Sequence, residues 1–138
     1  MSKILGLDYG KRRTGVAIAD LSGEIAFPRT TFSFRKEETL FKEIVKLCKE
    51  EGIETIVVGL PTNMKGENTQ QTETTIRFIE RLKKHTGDIK LETFDERLSS
   101  VQAERALVDK GLKKYSEIDE IAAQIILQAW LDKNKNQR

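Results

Sequence analysis

Hydrophobic and polar positions change period several times along this chain, and each change marks an element. Residues 3–8 and 14–20 are short runs rich in Ile, Leu, Val and Ala, joined by a basic turn with Gly10 and Gly15 at or beside its ends. Such a pair predicts an antiparallel hairpin with a longer loop. Residues 25–34 read as a third strand, placed at a sheet edge because Pro28 has no N–H to donate to a ladder. From 36 to 51 the period lengthens. Leu40, Phe41, Ile44, Val45, Leu47 and Cys48 recur at helical spacing, and Gly52 is a stop signal. Ile53 to Leu60 is almost continuously apolar, as expected of a strand buried on both faces, and Pro61 ends it. A polar loop, Thr62 to Asn68, leads into a helix around 69–86 with Ile76, Ile79 and Leu82 on one face. Residues 89–94 form the next strand. Ser99 and Gln102 fit a capping box for a helix ending near Gly111. Ser116 opens a last helix carrying Ile118, Ile121, Ala122, Ile125 and Trp130.

The order is β-β-β-α-β-α-β-α-α. Right-handed crossovers place strand 53–60 parallel to strand 3–8 and beside it, with strand 89–94 beyond. The expected architecture is α/β: a mixed five-stranded sheet of order 3-2-1-4-5 with helices on both faces. Ligands of such sheets gather at the carboxyl ends of the parallel strands, near the topological switch. Asp8 ends the first strand, Gly59 to Asn63 ends the fourth, and Asp95 and Glu96 end the fifth. All three tips fall on one edge. Strand 14–20 runs the other way, which puts Asp20 at the opposite edge and removes it from consideration.

Composition narrows the class. The 138 residues make one domain, 33% charged and 38% hydrophobic, which is a folded globular balance. No run approaches the roughly 20 apolar residues that span a membrane, and the first residues carry no signal-peptide core. A lone Cys48 allows no intramolecular disulfide, and the expected compartment is the cytoplasm. The net charge of +2 is too small to establish nucleic-acid binding. The local cluster Lys11-Arg12-Arg13 beside Asp8 carries more weight.

Carboxylates at strand tips suit Mg²⁺ or Mn²⁺, which prefer oxygen ligands. Two such ions can stabilise the attacking and leaving oxygens of phosphodiester hydrolysis. The chain offers Asp8, Asp95 or Glu96, and, on the last helix, Asp119 or Glu120. Ala122 and Ala123 are small enough to let that helix approach the sheet. Each carboxylate also has a plain structural use. Asp8 can cap its turn, Asp95 and Glu96 can pair with Arg97, and Asp119 sits at the capping-box position after Ser116. Asp95 and Glu96 alternate faces, so one of the two points into the site. Lys11, Arg12 and Arg13 read either as a solvated loop or as a phosphate clamp supported by Thr62, Asn63 and Arg97. His85 is expected at the surface, and Cys48 and Trp130 in the core.

Four motifs resemble one family. Residues 7–17 (LDYGKRRTGVA), 57–66 (VVGLPTNMKG), 95–104 (DERLSSVQAE) and 118–128 (IDEIAAQIILQ) are similar, in order and spacing, to the YqgF family of bacterial proteins. The resemblance spans essentially the whole chain. It implies an RNase H-like fold related to the RuvC resolvases, and a nuclease that matures the 5′ end of the small-subunit (16S) ribosomal RNA precursor. It also implies an acidic site of Asp8, Glu96 and Asp119. Ribosomal subunits or other processing factors are the partners it suggests. The segment Glu67 to Gln71 departs from the family pattern, being more polar, while Arg77 in the following helix matches.

Three other functions compete with the rRNA nuclease. A Holliday-junction resolvase would use the same fold as a symmetric dimer. An RNA-binding assembly factor would keep the fold without turnover. An ATP-dependent phosphotransferase shares the Asp8-Tyr9-Gly10 and Thr14-Gly15 pattern but needs two such domains, and this chain has length for one.

Overall fold

The computed structural model describes residues 2–20, 22 and 24–135, with the backbone alone at 115–117. Its strands are β1 (Lys3–Asp8), β2 (Arg13–Asp20), β3 (Ala26–Ser33), β4 (Ile53–Leu60) and β5 (Lys90–Asp95). Its helices are α1 (Glu37–Glu51), α2 (Gln70–Lys83), α3 (Val101–Asp109) and α4 (Tyr115–Lys133), with a 3₁₀ turn at Glu96–Leu98. The sheet order is β3-β2-β1-β4-β5, as the connection rules predict. β1 pairs antiparallel with β2 and parallel with β4, and β4 pairs parallel with β5. Pro28 lies in β3, the edge strand. No helix among the described residues is long and apolar enough to cross a membrane.

The pleat splits the central strands between two cores. Leu5, Leu7, Val16, Ile56 and Val58 face α1 and α2, packing with Leu40, Phe41, Ile44, Phe78 and Leu82. Ile4, Ala17, Ala19 and Val57 face α4, packing with Ala122, Ala123, Ile126, Leu127 and Leu131. This is why β1 and β4 read as unbroken apolar runs. Cys48 and Trp130 are buried, as expected, and the exposed ring of His85 lies on Phe41 with centroids 4.6 Å apart.

Three local expectations need correction. α2 turns Thr72, Thr75, Phe78 and Leu82 inward, while Ile76 and Ile79 are only half-buried. Phe78 takes the inward place because its ring stacks on Tyr9 at 3.9 Å and on Phe41 at 5.9 Å. The capping box expected from Ser99 and Gln102 does not form. The 3₁₀ turn continues the chain past β5, and the Ser99 hydroxyl donates to the Glu96 carbonyl at 2.9 Å and accepts from the Val101 N–H at 3.3 Å. α3 therefore starts at Val101, and its N-cap Ser100 makes no side-chain capping bond. α4 begins at Tyr115, one residue before the predicted Ser116, whose side chain lies outside the described residues.

Candidate active site

Asp8 and Glu96 stand at or just beyond the carboxyl ends of β1 and β5. Asp119 approaches from α4, and the reason is the packing of that helix on β2. A β-carbon built on Gly15 would lie 1.8 Å from the carbonyl oxygen of Asp119. Gly15 is the cross-strand partner of Asp8, so backbone contact at this point delivers the first turns of α4 to the tip of β1. The small Ala122 and Ala123 continue the close approach, both fully buried. Gly59 does the same for Glu96: a β-carbon there would meet Glu96 Oε2 at 2.9 Å. The three carboxylates line a cavity of about 560 Å³ at the sheet edge.

Asp95 and Glu96 part company at the end of β5. Glu96 is buried, 1% exposed, and turns into the cavity. Asp95 turns away and accepts from Arg97 Nη2 at 2.7 Å and Nε at 3.0 Å. That guanidinium holds the Asp95 carboxyl below its ordinary range.

Cations are built into the site. Arg105, on α3, donates from Nη2 to Asp8 Oδ1 at 2.7 Å and from Nη1 to Glu96 Oε1 at 2.5 Å. Arg13 Nε donates to Asp119 Oδ2 at 2.6 Å. Burial pushes the Asp8 carboxyl up to about 7, opposed by Arg105 and reinforced by the charges of Glu96 and Asp119. Burial tends to lower the Arg105 guanidinium, but the charge of Asp8 and the bond to Glu96 outweigh it and hold it protonated.

The cavity brings together some of the expected phosphate contacts and leaves out others. Lys11, Arg12 and Arg13 line it, Lys11 and Arg12 being exposed. Thr62, Asn63 and Arg97 are not among its walls. Asn63 organises its own loop, accepting on Oδ1 from the N–H groups of Lys65 and Glu67. Thr62 faces Asp95, with the hydroxyl 3.4 Å from Oδ1. The polar segment 67–71 builds the start of α2. Thr69 caps the helix, and the Thr72 hydroxyl donates to the Pro61 carbonyl. Gln71 then reaches the cavity wall. Tyr9, next to Asp8, is anchored on the opposite side of the sheet by its bond to Glu37 Oε2 at 2.9 Å.

Arg105 and Gln71 are wall residues that reading the sequence missed. Arg105 lies one position past the motif at 95–104, four residues after the buried Val101. A cation on the inward stripe of a helix is the signal that pointed to it.

As donors, Asp8, Glu96 and Asp119 supply carboxylate oxygens alone, the chemistry of a hard divalent cation. Among the described residues, no three His, Cys, Asp or Glu side chains are drawn together closely enough to hold an ion as they stand. The Arg105 guanidinium lies between two of the candidates.

The family model described as "RuvX: Holliday junction resolvase" matches residues 2–133. The chain belongs to this family. A Chloroflexus aurantiacus protein named "Putative pre-16S rRNA nuclease" is 44% identical, over 96% of this chain and 88% of its own length. A relative of the same name from Phocaeicola vulgatus is 40% identical, over 98% of this chain and 99% of its own length. RuvX-family membership agrees with the motif resemblance, since both sets of names describe nucleases. Among solved structures, Thermus thermophilus RuvC in complex with a Holliday junction is similar at a TM-score of 0.60, with 10% identity over 98% of this chain and 96% of that one. The fowlpox virus Holliday junction resolvase is similar at 0.54, with 12% identity over 95% and 99%. At such identities the likeness concerns the fold, which is RNase H-like.

Proposed function

We propose that this RuvX-family chain is a metal-dependent nuclease that hydrolyses phosphodiester bonds of the 16S rRNA precursor. The observation that carries the reading is the meeting of Asp8, Glu96 and Asp119 in one cavity, beside the exposed cations Lys11 and Arg12. Asp8, Glu96 and Asp119 would hold Mg²⁺ or Mn²⁺. Bound there, such ions supply Lewis-acid stabilisation of the attacking and leaving oxygens. Asp8, at the centre, is fixed from behind by Tyr9 and the hairpin. Lys11 and Arg12 hold phosphates flanking the scissile bond, contacts that position a strand without reading its sequence. The Gln71 amide, also on the cavity wall, can donate to a phosphate or sugar oxygen. The choice of precursor rRNA is supported by the names of the relatives.

The test is cleavage of an end-labelled RNA bearing the ribosomal precursor leader, with Mg²⁺, Mn²⁺ or EDTA, by wild type and Asp8→Asn. Metal-dependent cutting that Asp8→Asn abolishes is the expected result. Normal cutting by Asp8→Asn overturns the site assignment. The family description and the RuvC-like fold favour one second reading, a resolvase of four-way DNA junctions. A junction run alongside decides between them, since cutting of the junction alone replaces RNA by branched DNA. A folded protein that binds RNA and cuts neither substrate points to an assembly factor.

A further inference from the structure

The site as it stands holds an arginine between two of its three acids. Arg105 bridges Asp8 and Glu96, one nitrogen to each carboxylate. These acids come from the tips of strands that are not neighbours, with β4 between them. A single planar guanidinium satisfies both, a geometry that suits arginine's fork of donors and that lysine cannot reproduce.

We propose that Arg105 is an exchangeable internal cation, bridging Asp8 and Glu96 in the metal-free protein and displaced outward when a divalent ion enters. The inference rests on the metal-dependent reading above and assigns it a resting state. Three features of the structure support exchange over permanent bracing. The first is access: the Arg105 side chain is 37% exposed, against 14% for Asp8 and 2% for Glu96. The cation is the outer partner, and its path to solvent does not run through the acids. The second is attachment. Val101 is the only fully buried residue of α3, and the helix lacks a side-chain N-cap. The third is charge. Two acids this deeply placed resist being charged together without a positive partner, so removal of the guanidinium is coupled to arrival of another cation, a metal ion or a proton. The displaced side chain remains at the mouth of the cavity that Lys11 and Arg12 line.

Competition of this kind lowers apparent metal affinity by the fraction of molecules in which the bridge is open. The experiment is Mg²⁺ titration by calorimetry of wild type, Arg105→Gln, Arg105→Lys and Asp8→Asn. Arginine side-chain NMR of wild type, with and without saturating Mg²⁺, accompanies it. Arg105→Gln is expected to bind Mg²⁺ at least about tenfold more tightly than wild type, with Arg105→Lys between them. Metal-free Arg105→Gln is expected to melt about 10 °C lower, a deficit that Mg²⁺ removes. In wild type, the Arg105 Nη–H signals are slowed by the carboxylate bonds and lose that protection on saturation. Protection that survives saturation overturns the proposal, because Arg105 then stays in place with the ion. Equal affinity of wild type and Arg105→Gln also overturns it. If no variant binds Mg²⁺, and wild type matches Asp8→Asn, the metal reading itself falls and the proposal with it.

Discussion

Gly15→Ala adds one methyl group at the tightest point of the helix–sheet contact. The new β-carbon would sit 1.8 Å from the Asp119 carbonyl oxygen and 2.3 Å from its carbon, where ordinary contact begins at 3.4 Å. The obstacle is backbone on both sides, so no side-chain rotation relieves it. Bringing 1.8 Å up to 3.4 Å requires α4 to retreat by about 1.6 Å, or β2 to bend by as much. Retreat loosens Ala122, Ala123, Ile126 and Leu127 against the sheet, all of them fully buried. Overpacking of this sort costs about 1–3 kcal/mol, and the backbone clash argues for the upper half of that range. For a domain of this size, that corresponds to about 6–10 °C in Tm. Asp119 travels with the helix, and a misplacement of about 1 Å costs about 100-fold in rate. The assay is a thermal melt by circular dichroism together with RNA cleavage at saturating metal. Lys46→Ala on the exposed face of α1 is the control, expected within about 0.5 kcal/mol of wild type. A Gly15→Ala protein that melts within about 1 °C of wild type and cleaves within about twofold would refute the packing argument.

Further outcomes follow from the same geometry. Asp8 is raised from 3.8 to about 7 in the folded protein, chiefly by burial. Between those values the folded state holds a proton that the unfolded state has lost, so Asp8 makes metal-free stability fall as pH rises from about 4 to 7. Asp8→Asn should remove that slope, and at pH 8 without metal it should melt above wild type. Identical pH profiles by scanning calorimetry would count against it. Replacing Lys11 and Arg12 together by alanine should weaken RNA binding alike for all sequences. It should also reduce the slope of log K against log salt by about 1 to 1.5, measured by fluorescence anisotropy, and an unchanged slope would place these cations away from the backbone path. Phe78→Ala deletes the ring between Tyr9 and Phe41 and should cost about 3–5 kcal/mol in urea unfolding. A loss below about 1 kcal/mol would mean that the stack is not part of the core.

Most of the fold was legible along the chain because its signals are local. The short apolar runs of the hairpin, the unbroken apolar β4, the helical spacing of Leu40 to Cys48, and Pro28 at an edge each rest on neighbours a few residues apart. Handedness and connection rules then leave one sheet order. The same logic placed Asp8 and the end of β5 at one edge. Where local signals competed, the sequence reading slipped. Ser99 followed by Gln102 has capping-box spacing, but the 3₁₀ turn after β5 sets the helix start at Val101, and the serine hydroxyl accepts from the Val101 N–H. Ile76 and Ile79 are as apolar as Phe78, yet the inward place on α2 went to the ring that could stack on Tyr9. The choice between Asp95 and Glu96 was undecidable from a strand end whose two faces both carry a carboxylate. It was settled by the room that Gly59 leaves for Glu96 and by the pairing of Asp95 with Arg97. Only the tertiary structure could show Arg105 between Asp8 and Glu96, or Arg13 on Asp119, contacts that join residues 97 and 106 positions apart. A sequence states which side chains share a face of one element. Which of them meet across elements depends on how closely the backbones approach, and here two glycines without β-carbons set that distance.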